Sequence, residues 1–519
     1  MSQSNPPPKA KAKTKRRKLF QLHSWLGYNL ALLMTVVVGT GTFAVVSDEI
    51  DWLIHPELRA SSGTERVSWG QLEQSALTHA PGHLLTSLSA NEGSYFTIKA
   101  TMVNPNGRRY FLYIDPYTAE VTGTTGTLTV QRFLRDLHRY LFLPNIIGLP
   151  VVTTMAVVLM ISLYTGLKTA RNWRTLATRV RFNKGARVAT GDFHKAAGLW
   201  GIWFFVIIIA TSFWYFAELI SAVAGAHFEP SRPGVSQEQA ATYGKVARLA
   251  DADTLATAAT DAFPGLRITS MNFSLRATQA ATVLGRYTDP LVRQRANRVF
   301  LNPMDASIIH VQKDDDLSTS AYLNELADPL HFGSFGGLTT KLIWFIFGLA
   351  MLSLTLTGVW LTWKRVKSRS PTRAQWANVP LLVFVGFIAV PYVQNHTSTN
   401  SLNSPISLGT QITEDYTAEL FLDQTDNAEF NGTLRLLLKN DQQRINLDEV
   451  TFNAKNYPDA ESSKKPFLIG KIVAVDTTMP TQMLSQGDLE FEATLKFVSG
   501  EAETHTFQFK RELLVSTDR

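Results

Sequence analysis

Four apolar stretches, each opened by a histidine, fall into two matching halves, and few folds accommodate such a pattern. Leu330 to Arg365 starts Leu-His, runs through an apolar segment from Lys341 to Trp363, and ends in Trp363-Lys364-Arg365. Leu137 to Arg171 repeats the plan. It has Leu-His first, then an apolar run, then Thr165-Gly166 where the later stretch has Thr357-Gly358, and then basic residues. A second pair matches in another way, His23-Ser24-Trp25-Leu26-Gly27 against His194-Lys195-Ala196-Ala197-Gly198. Crossing the hydrocarbon of a bilayer takes roughly 20 predominantly apolar residues. The chain therefore reads as a duplicated membrane protein whose unit is helix, extramembrane domain, helix.

The formal charge of +7 does not point to nucleic acid, because its placement has another cause. Lysines and arginines crowd into Lys9 to Lys18, Lys168 to Arg187 and Lys364 to Arg373, each beside an apolar stretch. That is the positive-inside bias, and it places the amino terminus and these loops in the cytoplasm. The mean hydropathy of -0.02 averages apolar helices with polar domains. There are no cysteines, which excludes disulfides, cysteine-ligated iron–sulfur clusters and thiol catalysis. Arg16-Arg17 before an apolar run resembles a signal start, but no small-x-small cleavage site follows Leu30 to Val46, so an uncleaved helix is expected.

Residues 1–18 read as a disordered basic tail. Spans are expected over 19–47, 137–170, 192–222 and 330–366, with cytoplasmic loops at 171–191 and 367–376. Polar domains at 48–136 and 223–329 face the other side. In the first, Val67 to His79 has helical spacing and Ala80-Pro81-Gly82 stops it. Tyr95 to Ala100 and Tyr110 to Ile114 alternate as strands, and a turn at Asp115-Pro116 leads to Glu120 to Thr122. The second repeats the recipe: Tyr243 to Phe263 as helix, Pro264-Gly265 as stop, and Val299 to Asn302 turning at Pro303-Met304-Asp305 into Ser307 to Val311. A fifth apolar run, Val379 to Val393, carries Pro380 and Pro391 and is read as an outward crossing over 377–394. Beyond it, Ala418 to Leu422, Thr433 to Leu438, Phe467 to Val475, Leu489 to Val498 and Thr504 to Leu514 suggest an all-β domain over 395–519. The expected fold is a membrane α-helical bundle of four core spans in two repeats plus a fifth. It carries two α+β domains and a sandwich-like all-β domain.

An ionisable side chain in or beside a span is a functional candidate. The expected topology puts His23 and His194 at the cytoplasmic face and His138 and His331 at the opposite one. Two histidines from different halves can meet between helices, which is how bundles build cofactor sites. A zinc site would need about three or four protein ligands, and no acidic or cysteine partner accompanies these histidines at ligand spacing. Two imidazoles suit a heme iron, because the porphyrin supplies four nitrogens. Gly27 and Gly198 lie one helical turn beyond His23 and His194, where the missing side chain leaves room for a flat ring. Lys18, Arg139, Lys195 and Lys341 are candidate partners for propionates. A lone histidine at a helix end is usually interfacial; four in a repeated register argue against that. Pro144 and Pro150 separate His138 from its apolar run and place it on a short interfacial helix. His55, His79, His83, His227, His310, His396 and His505 have no counterpart in the other half and read as surface residues, and Asp314-Asp315-Asp316 as a solvated loop. The two Thr-Gly pairs read as helix-packing positions, and Trp25, Trp173, Trp200, Trp214, Trp344, Trp360 and Trp363 mostly as interface markers.

His23 with Gly27, Leu137-His138-Arg139, His194 with Gly198, Leu330-His331 and the Thr-Gly pairs resemble the PepSY-associated transmembrane family, often called iron-regulated membrane proteins. The regions around Ala80-Pro81-Gly82 and Phe263-Pro264-Gly265 resemble PepSY domains. The resemblance covers roughly residues 15–370. It implies a bacterial inner-membrane protein tied to siderophore-iron uptake, whose characterised kind is a heme-containing ferric-siderophore reductase, with all four matched histidines as heme ligands. The fifth span and the β-rich tail lie outside the pattern. No flavin- or nicotinamide-binding domain accompanies them, so a separate electron donor, a quinol or a cytoplasmic reductase, is implied. The expected protein is a diheme electron-transfer protein with two heme b groups. It sits in membrane lipid, has no nucleic-acid partner, and passes electrons to a periplasmic acceptor such as a ferric siderophore. Two other readings stand beside it: a non-enzymatic envelope scaffold or regulator, and electron transfer to a periplasmic protein docked on the tail.

Overall fold

The computed structural model describes residues 8–104, 107–170, 172–247, 249–274, 276, 278–365, 383–393, 406–423, 431–440, 443–455, 457–466, 472–480 and 489–509. The first half begins with helices α1 (Pro8–Asn29), α2 (Ala31–Ala44) and α3 (Ser47–Ile54). Helix α4 (Trp69–His79) and strands β1 (Leu84–Ala90), β2 (Ile98–Val103), β3 (Arg109–Ile114) and β4 (Val121–Thr125) follow, and then α5 (Val130–Tyr140) and α6 (Asn145–Thr169). After α7 (Trp173–Thr178), the second half repeats the plan. It has α8 (Ala186–Trp200), α9 (Ile202–Val223), α10 (Gln237–Ala241), β5 (Val246–Ala247), α11 (Ala252–Ala262), β6 (Arg267–Asn272), β7 (Ala281–Arg286), β8 (Asn297–Leu301), β9 (Ile308–Gln312), α12 (Thr319–Phe332) and α13 (Gly337–Trp363). Helix α14 spans Val383–Val393. The last part comprises β10 (Ile406–Ile412), β11 (Thr417–Asp423), β12 (Asn431–Lys439), β13 (Arg444–Ile445), β14 (Leu447–Ala454), β15 (Tyr457–Lys464), β16 (Ile472–Pro480), β17 (Leu489–Phe497) and β18 (Ala502–Phe509).

Three described helices are long and apolar enough to cross a membrane: Asn145–Thr169, Ile202–Val223 and Ser334–Trp363. A fourth span exists if α1 from Lys15 and α2 count as one, but they meet at 69°. The stretch expected as a first span over 19–47 is therefore two helices, bent as in a broken span or a re-entrant loop. The break follows Asn29, whose side-chain amide donates back to Trp25 O at 2.8 Å. The same position of the second half holds Gly201, between α8 and α9. The tail is also shorter than expected, since residues 8–18 are already helical.

Spans two and four do not begin at their histidines. His138 lies on α5, which stops at Leu141 and Phe142, both in the left-handed region with φ of 54° and 57°. That conformation costs roughly 1–3 kcal/mol per non-glycine residue, and here both side chains are buried. They share a cluster with Leu33, Val37 and Val385 of α14. His331 lies on α12, and Gly333 (φ 67°) makes the corresponding turn without that strain.

The two polar domains are one sheet. Its order is β4-β3-β2-β1-β6-β7-β8-β9, joined at the centre by antiparallel β1 and β6 with Leu88 opposite Met271. Strands β1, β6 and β7 have no counterpart among the expected strands, and Tyr243 to Phe263 is not one helix but β5 followed by α11. Helices α4 and α11 cap each other. Asp253 accepts from Gly70 N at 2.7 Å and Ser68 Oγ at 2.8 Å, and Glu73 accepts from Ala252 N at 2.7 Å. Beyond α14, two four-stranded sheets, β10-β11-β12-β16 and β15-β14-β17-β18, enclose one apolar core. Strand β13 pairs with β5, tying this region to the second half. The expected strand residues 467–471 and 510–514, the loop 367–376 and the start of the fifth span lie outside the described residues.

Candidate functional site

The four matched histidines meet as two pairs. His23 of α1 and His194 of α8 have ring centres 6.2 Å apart, with planes at 85°. His138 of α5 and His331 of α12 also stand 6.2 Å apart, with planes at 44°. The first pair lies toward the basic loops and is called the loop-face pair; the second lies beneath the sheet and is called the domain-face pair.

Every ring is held through Nδ1. His23 Nδ1 lies 3.0 Å from Ser162 O and 3.1 Å from Thr165 Oγ1, and His194 Nδ1 lies 2.9 Å from Thr357 Oγ1. His138 Nδ1 lies 2.8 Å from Val37 O, and His331 Nδ1 lies 2.8 Å from Thr211 Oγ1. Carbonyl oxygens only accept. Each threonine hydroxyl already donates to a carbonyl of its own helix: Thr165 to Ile161, Thr357 to Ser353 and Thr211 to Ile207. All four Nδ1 atoms therefore carry the proton, which in the neutral ring leaves the Nε2 lone pair unprotonated. Metal-bound histidines are oriented in this way, with the second nitrogen donating to an oxygen.

The Thr-Gly pairs are thus more than packing positions. Thr165 and Thr357 orient the loop-face rings, and a Cβ on Gly166 or Gly358 would lie 3.4 Å from Cε1 of His23 or His194. Gly41 of α2, absent from the sequence expectations, is tighter, because a Cβ there would lie 2.5 Å from Cε1 of His138. Gly27 and Gly198 face open space, with nothing within 4 Å of an added Cβ.

The domain-face pair opens into a cleft walled by Met34, Val38, Leu159, Phe204, Ile208 and Met351. Arg135, Arg139 and Asp328 also line it. Tyr215 donates to Asp328 at 2.6 Å and Arg293 donates to it at 2.8 Å, so that carboxylate is satisfied. Trp344, read as an interface marker, is buried and donates to Leu330 O at 2.9 Å beside His331. Of the cations named as propionate partners, Arg139 stands at this cleft. Lys341 is already taken by Asp48 at 3.4 Å and Glu49 at 3.0 Å, which withdraws it from that role. Lys195 lies 3.9 Å from Asp192, whose carboxylate is chiefly held by Arg181 at 2.7 Å.

Two imidazoles bound through Nε2 to one metal atom, each at about 2.0–2.1 Å, place their ring centres about 6 Å apart. Both pairs meet that spacing. Among the described residues no group of three or more His, Cys, Asp or Glu could hold a metal ion. The donor set is thus two nitrogens per site, which fits a metal whose other ligands come from a macrocycle.

Residues 20–365 match the family described as the PepSY-associated TM region. The chain belongs to this family. No curated protein matches the chain. All four histidines and their Nδ1 partners lie inside the family region, whereas α14 and the final sheets lie outside it. Family membership and the apolar helices make this a membrane protein.

Other histidines depart from the surface reading. His83 shares a 2.6 Å hydrogen bond with Tyr110 Oη, and His505 is largely covered and bonded to Tyr416 Oη at 2.9 Å. Asp314 is not solvated either; it is buried and accepts from Asn297 Nδ2 at 3.2 Å. His396 lies outside the described residues.

Proposed function

We propose that this PepSY-associated membrane protein is a diheme b-type electron-transfer protein of the bacterial inner membrane. In this reading the basic loops face the cytoplasm and the sheets face the periplasm. His23 and His194 hold one heme, and His138 and His331 hold the other. A heme at each pair supplies one-electron chemistry, so that electrons cross the bilayer from a quinol or cytoplasmic reductase to a periplasmic acceptor. The acceptor is ferric iron in a siderophore, whose hard oxygen donors favour Fe(III), so that gaining one electron loosens the metal.

The chain's own residues do three things in this account. Threonine hydroxyls and backbone carbonyls hold the Nδ1 protons and leave Nε2 as the ring's electron-pair donor. The apolar walls of the domain-face cleft exclude water, which tunes potential. Arg139 offers donors for propionate oxygens at its rim. The observation that carries the reading is the paired rings with all four Nδ1–H groups anchored and Nε2 left for a metal. A scaffold role gives no reason for that arrangement.

The test is re-oxidation of dithionite-reduced purified protein by a ferric hydroxamate chelate, followed in the heme bands. Wild-type protein is expected to re-oxidise rapidly and His331→Ala to lose most of that rate. Equal rates in the two proteins would overturn the reading.

A further inference from the structure

A second cavity, about 530 Å³ in volume, lies between the first half's sheet and the ends of α5 and α6. That is the size of pocket that holds a small organic ligand, roughly 300–1,000 Å³. Its lining includes Asp48, Asp51 and Asp136 together with Lys99, Arg132 and Arg135. Charge counting alone would make it neutral, yet each acid already has partners of its own. Asp48 faces Lys341. Asp51 accepts from Val130 N at 2.7 Å and Gln131 N at 2.9 Å, capping α5. Asp136 is met by Arg132 and by the Tyr392 hydroxyl of α14. Two cations are left over. Among the described residues Lys99 has no hydrogen bond or ion pair, and it rests its ammonium 5.0 Å from the centre of the Phe111 ring. Arg135 likewise has no partner among the described residues, and it also lines the domain-face cleft.

From this we infer that the cavity binds an anionic, carboxylate-bearing metal chelate, with Lys99 and Arg135 taking its charge beside the domain-face pair. Burial pushes the Lys99 ammonium below its ordinary range, the nearby carboxylates of Asp48 and Asp51 offset this only in part, and Arg135 adds to it. An anion that displaces water from Lys99 and accepts two parallel bonds from Arg135 removes that cost. Phe111, Tyr113, Tyr140 and Tyr392 supply flat walls for the organic part. Arg135, common to both cavities, would then place the chelate next to the site that delivers the electron. Tyr392 closes the cavity from α14, outside the family region.

The inference rests on the reductase reading for its meaning but not for its test. The probe is gallium(III) citrate, an anionic chelate that cannot be reduced, titrated by calorimetry into the full-length protein in detergent. Wild-type protein is expected to bind it, more weakly as salt rises. Lys99→Gln and Arg135→Gln are each expected to weaken binding at least tenfold, and Lys99→Arg to restore most of it. The cationic gallium(III) complex of desferrioxamine is expected to bind at least tenfold more weakly than the citrate. Equal citrate binding in wild type, Lys99→Gln and Arg135→Gln would overturn the inference, and so would preference for the cationic complex. If Arg135→Gln loses heme while citrate binding is unchanged, Arg135 serves the cofactor alone and the inference fails. If wild-type protein holds no heme yet binds gallium citrate through Lys99 and Arg135, the reductase reading fails and the anion site stands.

Discussion

The two halves of the chain set four imidazoles in the same places but hold the rings by different means. On the loop face the halves agree, with a Thr-Gly pair behind each ring, at Thr165-Gly166 and Thr357-Gly358. On the domain face they part company. The second half offers the Thr211 hydroxyl to His331, whereas the first offers the Val37 carbonyl to His138. Counting from His23 and His194, Gly41 corresponds to Ser212, and a Cβ at Gly41 would meet the His138 ring. Spacing of the rings is thus common to both halves, while on the domain face the oxygen that orients the ring differs between them.

The sharpest break of this comparison is Gly41→Ala. Its new methyl would occupy the place of the His138 ring, and close-packed surroundings resist such overfilling. Loss of the domain-face heme, about half of the Soret absorbance, is expected. Ser212→Ala at the matching position is expected to leave the spectrum unchanged. A smaller effect should come from the loop face. Thr357→Val removes the sole Nδ1 acceptor of His194 among the described residues, and losing such a partner typically costs roughly 10–100-fold in metal affinity. Thr165→Val should cost less, because His23 keeps Ser162 O. Equal losses would show that the carbonyl does not hold that ring. Heme retention during dialysis against apomyoglobin measures both.

The smallest expected effect lies in the sheet. Asp115-Pro116-Tyr117-Thr118-Ala119 and Asn302-Pro303-Met304-Asp305-Ala306 form the same turn, each ending on an alanine with positive φ, 61° and 57°. Burial alone would raise the Asp115 carboxyl, but hydrogen bonds from Ser61, Tyr117 and Thr118 hold it below its ordinary value. A lowered folded pKa means that this stabilisation is present above the unfolded value of about 3.9 and is lost as pH falls through the folded one. The first turn is therefore expected to lose amide protection in acid, as measured by hydrogen exchange on the full chain and corrected for intrinsic rates. The second turn, with an amide at Asn302, is expected to keep its protection. Asp115→Asn should remove the difference at a cost of about 1–3 kcal/mol.

Much of the bundle was legible because membrane helices are written in long apolar runs and the duplication repeats them. The histidines stood out because each recurs in the other half. What was missed depends on atoms that composition does not report. The bend after Asn29 comes where one side-chain amide reaches back to Trp25 O. The fusion of the two domains into one sheet depends on β1 pairing β6 across 182 residues, as in the Ser270 Oγ bond to Leu88 O. Strands such as Leu84–Ala90, with a bulge between Leu85 and Ser87, alternate too poorly to be recognised. Thr211 and Gly41 were invisible because their meaning lies in a ring from another helix. The two Thr-Gly pairs carried the signal, since they repeat in register with the histidines and a threonine hydroxyl can satisfy an imidazole N–H. Lys341 misled in the opposite sense, because its acidic partners Asp48 and Glu49 sit on α3 and not beside it in sequence.

The central claim is that each half contributes one imidazole to each of two heme sites. Heme per chain in purified wild-type, His23→Ala, His331→Ala and doubly substituted protein tests it most directly. The account predicts about two, one, one and none, read from the Soret band and a pyridine hemochrome assay. A colourless wild-type protein, or a Soret band that survives both substitutions together, would contradict it.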